Sequence, residues 1–239
     1  MTKRKILAVF AHPDDETFIC GGTLAKYASM DVDITLVSAT RGEMGRRMGN
    51  PPYVNRETMP EVRELELRNA CDALGVRQLI FFDIRDKTVE FIDLELLTSR
   101  IAALIEEIKP DVVLTFHEIL GGHPDHCAIG KVTTAAHERT RERSGAELFF
   151  ITFGDTLANA QERFGYDYPN PIVRIDISKH HDAKLAAFRA HRCQTEIDGW
   201  VWGPDKQALS KFGKYEYFIA GNKAIPPHPG EDLFPPSKR

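Results

Sequence analysis

No two of the four cysteines, Cys20, Cys71, Cys127 and Cys193, form a Cys-x-x-Cys pair, and their wide spacing excludes a small disulfide-stapled framework. They read as buried or half-buried thiols in a reducing cytosol. Long apolar runs are missing too: none approaches the roughly 20 residues that span a bilayer. Lys3, Arg4 and Lys5 precede an apolar stretch that ends at His12, too short for a secretory core and better read as a first strand. Basic excess is absent. A net charge of −4 and a pI near 6.1 argue against nucleic acid as a general partner. Gly-x-Gly-x-x-Gly is also lacking after the first strand, where the chain is acidic instead of ready for a pyrophosphate, which excludes a dinucleotide-dependent oxidoreductase. What remains is an expected cytoplasmic chain with neither nucleic acid nor membrane as partner. Its 239 residues, 42% hydrophobic, suffice for one substantial core.

Strand and helix patterns alternate along that chain. Buried-strand runs are expected at Lys5–Ala11, Ile34–Ser38, Leu79–Ile84, Val112–Phe116, Leu148–Phe153 and Ile172–Ile177, with a last strand at Tyr215–Ala220. Helical spacing is expected from Glu16 to about Met30, Pro60 to Leu74, Asp93 to Ile108, His126 to about Arg139, and Asp182 to Gln194. Gly21-Gly22 allow close packing near the start of the first helix. In the second, Val62, Leu65, Ala70 and Leu74 form one stripe and Gly75 is placed as a C-cap. Strands separated by such helices imply right-handed crossovers and a mainly parallel sheet, an α/β fold with strand order 3-2-1-4-5 flanked by helices. One domain over residues 1–224 is expected. A Pro-rich tail follows over 225–239, irregular or loosely attached, with Pro226, Pro227, Pro229, Pro235 and Pro236.

The tripeptide His-Pro-Asp occurs twice, as His12-Pro13-Asp14 and His123-Pro124-Asp125, each where a strand-like run gives way to a helix-like one. In a doubly wound sheet of that order, strands 1 and 4 are neighbours and ligands bind outside their carboxyl ends. Both copies are therefore expected at one crevice. His12 and Asp15 can grip one ion from one lip and His126 from the other, leaving an open position for water. Asp14, between two ligands, can take a proton from that water. His123 can donate to a developing oxyanion or protonate a leaving nitrogen, with Asp125 holding its tautomer. Acidic residues at helix starts commonly just complement the helix dipole. Two such clusters at paired strand ends point instead to a metal-dependent hydrolase.

Ala11-His12-Pro13-Asp14-Asp15-Glu16 together with Gly122-His123-Pro124-Asp125-His126 resembles the LmbE/PIG-L family of zinc-dependent N-acetylglucosaminyl deacetylases, over about Lys5 to Gln194. The resemblance implies a single Rossmann-like three-layer domain and N-acetylglucosamine conjugates as substrates. It also implies zinc on His12, Asp15 and His126, a general base at Asp14 and an oxyanion-side histidine at His123. The stretch Thr40-Arg41-Gly42-Glu43-Met44-Gly45-Arg46-Arg47-Met48-Gly49-Asn50-Pro51-Pro52, with Arg56-Glu57 and Arg63, is similar to the bacillithiol-pathway branch, whose members deacetylate N-acetylglucosaminyl malate. Arg85-Asp86-Lys87-Thr88 and His191-x-x-Gln194 also resemble family segments.

An anionic sugar conjugate suits these residues. Arg46, Arg47, Arg56 and Arg63 surround a glycine-rich loop, and guanidinium forks match malate carboxylates. Glu43 and Asp86 are expected to accept hydrogen bonds from sugar hydroxyls. The loop, with Met44 and Met48, also suits a mobile lid. Gly121 stands where some relatives carry an aromatic residue, so that residue's role does not transfer. His117 and His180-His181 read as structural or solvent-exposed groups. His137 has no evident partner, and His191 either packs or supports the site from below. Trp200 and Trp202 suit core or subunit packing, which leaves room for a homo-oligomer.

The alternative functions are a chitobiose-type or other amino-sugar deacetylase, and an amidase of thiol conjugates. A non-catalytic binding module is expected to have lost Asp14 or a ligand, and all are present. Iron, cobalt or nickel also suit two histidines and one aspartate.

Overall fold

Apolar runs with no alternating polar face become the middle of a sheet covered on both sides. In the computed structural model, which describes residues 3–165, 171–221 and 232–234, such a run forms β1 (Lys5–Phe10), buried from Ile6 onward. Then come α1 (Asp15–Ser29), β2 (Asp33–Thr40), α2 (Met59–Leu74), β3 (Gln78–Ile84), a 3-10 turn at Val89–Phe91, α3 (Leu94–Ile108) and β4 (Val112–Phe116). The second half holds α4 (Pro124–Ser144), β5 (Glu147–Thr152), two short helices α5 (Gly154–Ala158) and α6 (Ala160–Phe164), and β6 (Ile172–Asp176). It closes with α7 (His181–Ala190), α8 (Arg192–Thr195), α9 (Asp205–Leu209) and β7 (Tyr215–Ala220).

The sheet runs β3-β2-β1-β4-β5-β7-β6. Its first five strands are parallel in the expected order. The last two differ from the expectation: β7 inserts antiparallel between β5 and β6, with Phe150 opposite Ile219 and Val173 opposite Phe218. α1, α2 and α7 pack together, and α3 packs on α4, so two helical layers enclose the sheet. Among the described residues no helix is long and apolar enough to cross a membrane. The four cysteines are free, with Cys20, Cys71 and Cys193 buried and Cys127 half-buried.

Gly22 lets α1 approach the residue after β6, since a Cβ there would meet Ile177 side-chain atoms at 2.7 Å. α1 is kinked at Cys20 (φ −134°, ψ 17°), which breaks the helical ladder locally. An ion pair from the other half of the chain enters the break. Glu216 of β7 accepts from the Gly22 and Thr23 amides at 3.0 and 2.7 Å. Lys184 of α7 donates to the Phe18 carbonyl at 3.3 Å and to Glu216 at 2.5 Å. Both side chains are buried, so their charges are tolerated only as this hydrogen-bonded pair.

Two details of the sequence reading need correction. Leu65, expected in the buried stripe of α2, is 61% exposed, and the buried face carries Arg63 and Glu66 beside Leu67, Ala70 and Leu74. The helix expected from Asp182 to Gln194 is broken at His191 (φ −78°, ψ 52°) into α7 and α8. The boundary at residue 224 and most of the tail lie outside the described residues, but Asp232–Phe234 dock on α1. There the Tyr27 hydroxyl donates to Asp232 and accepts from the Leu233 amide, both at 2.8 Å, and Leu233 and Phe234 are buried.

Candidate metal centre and active site

β1 and β4 are parallel neighbours, Ile6 opposite Val112, so their carboxyl ends open onto one crevice. The chain after β1 supplies His12, Asp14 and Asp15, and the chain after β4 supplies His123, Asp125 and His126. All but Asp125, which is fully buried, line a cavity of about 310 Å³. His12 Nδ1 is 3.1 Å from His126 Nε2 and 3.7 Å from Asp15 Oδ2, and His126 Nε2 is 3.2 Å from Asp15 Oδ1.

Each imidazole is oriented by its other nitrogen. His126 Nδ1 is 3.0 Å from the Gly121 carbonyl, which can only accept, so Nε2 carries the lone pair of the neutral ring. Phe116, ending β4, stacks on that ring at 3.9 Å between centroids. A side chain at residue 121 would crowd this arrangement, since a Cβ would sit 3.0 Å from His126 Cβ. His12 Nε2 faces Asp125 Oδ2 at 3.1 Å and Asp86 Oδ1 at 3.2 Å, which makes it the protonated nitrogen and leaves the Nδ1 lone pair toward His126. Two lone pairs 3.1 Å apart beside a carboxylate demand a positive charge between them. Donors about 2.0–2.2 Å from a shared ion lie roughly 3.0–3.6 Å apart, close to the spacing observed. Two imidazoles and a carboxylate therefore fit a divalent cation. Without one, protons take its place. Burial pulls the His12 pKa down, but Asp125, Asp86 and Asp15 more than offset that and raise it to about 10. Burial likewise opposes charge on His126, and Asp15 raises it. Burial favours the neutral acid at Asp15, yet His126 and His12 hold that carboxyl down at about 2.

The donor atoms of His123 also lie near those of His12 and His126, and His12, Asp86 and Asp125 form a second close group. In the latter the oxygens already have donors. Asp125 accepts from the Lys87 and Val89 amides at 2.7 and 3.1 Å, and Asp86 accepts from the Met44 amide at 2.9 Å. These two acids thus act as anchors for His12. That corrects one expectation, since Asp125 orients His12 instead of His123, while Asp86 lines the cavity and also bonds His12 and Met44.

Asp14 precedes α1 with φ 112° and ψ −23°, and its side chain is 17% exposed. Arg63 Nη2 lies 2.7 Å from Asp14 Oδ2. Burial pushes the Asp14 carboxyl up to about 6 against the pull of Arg63. It is thus ionised at neutral pH yet more basic than an exposed carboxylate. His123 caps α4, its Nδ1 accepting from the Asp125 amide at 3.2 Å, so the neutral ring carries its proton on Nε2. Burial, then the neighbouring His12 and His126, lower its pKa and keep it neutral. His123→Ala is expected to lower turnover on the order of 10²–10³ if this N–H meets an oxyanion, with metal content unchanged by elemental analysis.

The four arginines separate. Arg63 is buried, donating to the carbonyls of Gly42 and Pro13 as well as to Asp14. Gly42 has φ 66° and a Cβ there would sit 2.0 Å from the guanidinium, so only glycine admits it. Arg47 bridges to the Gln194 carbonyl and the Asp198 carboxylate. Arg56 braces the loop through the Glu43 and Gly45 carbonyls at 3.1 and 2.5 Å. Arg47 and Arg56 thus brace the loop, while Arg63 reaches from α2 to hold Asp14 and also lines the cavity. Arg46 is exposed, lines the cavity and has no hydrogen bond or ion pair among the described residues. Lys87 stands with it in the lining. Glu43 holds the Asp86 amide through Oε1 at 2.9 Å, while Oε2 is buried with no partner among the described residues.

Gln194 and Glu16, which carry family resemblance in sequence, take definite places here. Gln194 lines the cavity and its amide donates to the Arg47 carbonyl at 3.0 Å. Glu16 is buried against His191. His117 ties its own loop, accepting from the Ile119 amide at 3.1 Å, and His137 is 2.7 Å from the Ala146 carbonyl. His181 lies 3.2 Å from the Gly213 carbonyl, away from the cavity.

Comparison with known proteins adds to this geometry. The family model described as "PIG-L: GlcNAc-PI de-N-acetylase" matches residues 7–137. A Bacillus cereus protein described as a probable N-acetyl-alpha-D-glucosaminyl L-malate deacetylase 2 is 39% identical over 194 residues, 81% of this chain and 85% of that one. A Mycobacteroides abscessus 1D-myo-inositol 2-acetamido-2-deoxy-alpha-D-glucopyranoside deacetylase is 31% identical over 234 residues, covering 82% and 84%. Among solved structures, N,N'-diacetylchitobiose deacetylase from Pyrococcus horikoshii superposes with a TM-score of 0.67 at 22% identity, covering 91% of this chain and 83% of that one.

Proposed function

The chain belongs to the PIG-L deacetylase family, and on that premise we propose that it hydrolyses the N-acetyl group of N-acetylglucosaminyl malate, with a divalent ion, zinc by donor set, on His12, Asp15 and His126. The observation that carries this reading is the convergence of those three donor groups at 3.1–3.7 Å beside the half-buried carboxyl of Asp14. When bound, the ion supplies Lewis-acid chemistry, polarising the acetamide carbonyl and acidifying water. Asp14 takes the proton as the water oxygen attacks the acetyl carbon. His123 Nε2–H faces the oxygen on which negative charge grows. The carbon–nitrogen bond then breaks, the proton passes to the leaving nitrogen, and acetate and a free amine result. Asp125 and Asp86 keep His12 in its ligating tautomer throughout.

The malate part of the reading rests on Arg46, with Lys87 adding positive charge at the mouth. A charge-assisted bond from arginine to carboxylate contributes about 1.5–3 kcal/mol, so Arg46→Ala is expected to lower kcat/KM for the malate conjugate roughly 10–100-fold. Free N-acetylglucosamine should be nearly unaffected, and raised salt should shrink the difference. Side-by-side assay of both substrates tests the function itself. Equal rates on charged and neutral substrates, unmoved by Arg46→Ala, would leave a general amino-sugar deacetylase.

A further inference from the structure

His191 lies outside both the metal set and the cavity lining. It is fully buried at the break between α7 and α8, and its Nε2 is 2.7 Å from Glu16 Oε1. Thr17 donates its hydroxyl to the same oxygen. The other oxygen, Glu16 Oε2, accepts the Asp14 backbone N–H at 3.0 Å. Asp14 needs such a hold. Its φ of 112° is a conformation that residues with a side chain keep only where the surroundings over-determine it. The conformation lets Asp14 share the cavity with Asp15 while its carboxylate meets Arg63.

Packing alone does not account for a histidine at this position. Its Nδ1 is buried with no hydrogen-bond partner among the described residues. An apolar side chain would fill the space without stranding a polar atom. The neighbouring turn holds the other wall of the cavity: Cys193 N–H donates to Glu66 at 2.6 Å, and Gln194 exchanges bonds with Arg47 across the backbone. The Gly49 amide donates to the Cys193 carbonyl at 3.0 Å.

We propose that His191 is a positioning residue which, through Glu16, pins the backbone of Asp14 in the conformation that presents its carboxylate to the cleft. Residues 191–195, beyond the stretch covered by the family match, then belong to the working site. The proposal rests on Asp14 acting as the base in the deacetylase reading above.

The test uses the full-length, metal-loaded protein and the variants His191→Leu, His191→Gln and Glu16→Gln, with N-acetylglucosaminyl malate as substrate. His191→Leu is expected to lower kcat on the order of 10–100-fold, the cost of a base displaced by about 1 Å. KM should stay at its normal value, and a normal bound-metal content per chain shows that the lost rate is not lost folded enzyme. His191→Gln, which keeps an N–H for Glu16, should recover most of that loss. Wild-type kcat in a folded, metal-loaded His191→Leu enzyme overturns the proposal. Should His191→Leu fail to fold, the isosteric Glu16→Gln carries the test: a kcat loss at constant KM and full metal content supports the proposal and wild-type kcat overturns it. A wild-type enzyme inactive on every N-acetylglucosaminide would retract the deacetylase reading instead. The proposal is then decided by a crystal structure of a folded variant, either His191→Leu or Glu16→Gln. Asp14 still at φ near 112° and bonded to Arg63 refutes it, and Asp14 relaxed to negative φ supports it.

Discussion

Replacing His12 by alanine is expected to leave a folded protein that neither retains a divalent ion nor turns over substrate. His12 is the junction of the site: Nδ1 faces Asp15 and His126, while Nε2 is held by Asp125 and Asp86. Removing it deletes one of three donors and releases two buried carboxylates from their shared partner. The amides of Lys87, Val89 and Met44 still satisfy those carboxylates, so the loss should fall on the metal more than on the fold. His126→Ala should behave alike. Elemental analysis after dialysis, together with a thermal unfolding scan, measures both effects. Stoichiometric metal in a folded His12→Ala protein would remove His12 from the ligand set. Acid should displace the ion from the wild type as well, because protons and metal compete for the same imidazole nitrogens.

Asp14→Asn is expected to keep the metal and lower turnover by roughly 10²–10⁴, the range for a lost general base. An amide has no basic oxygen near neutrality, whereas the Asp14 carboxyl, raised by burial to about 6, is proton-free above that value. The sign follows directly. The working form is the carboxylate, so wild-type turnover should fall as pH drops through the Asp14 pKa, and a bound cation moves that limb lower. The same substitution strips the charge from the partner of buried Arg63, so stability should also drop, and rates need to be scaled to folded, metal-loaded enzyme. Near-normal turnover would end the base assignment. Glu16 would not inherit the role, being buried between His191 and the Asp14 amide.

The sheet order and the meeting of the two His-Pro-Asp segments were legible because both follow from local signals. Apolar runs, helix starts and crossover handedness suffice to put the ends of β1 and β4 side by side. The partners of individual charged groups were not legible. Arg63, Arg47 and Arg56 look alike in sequence, yet one is buried under Gly42 and the others strap the loop to α8 or to itself. Asp125 faces His12 across 113 residues, although His123 is its near neighbour in sequence. The buried face of α2 contains Arg63 and Glu66, which breaks the apolar periodicity and made Leu65 a false member of the stripe. Hydrophobic pattern also does not encode insertion order at a sheet edge, where β7 lies between β5 and β6.

The ion pair seated in the kink of α1 bears on how divisible this molecule is. Lys184 and Glu216 arrive from α7 and β7, late in the chain, to complete a helix that begins at residue 15. A shortened chain ending soon after α4 would hold every residue of the two His-Pro-Asp segments and the whole of the family match. It would nonetheless expose the carbonyl of Phe18 and the amides of Gly22 and Thr23, and leave Glu16 without its histidine. The smallest autonomous unit is therefore longer than the stretch carrying the recognisable motifs, and grafting or truncation designs need to keep both ends of the chain.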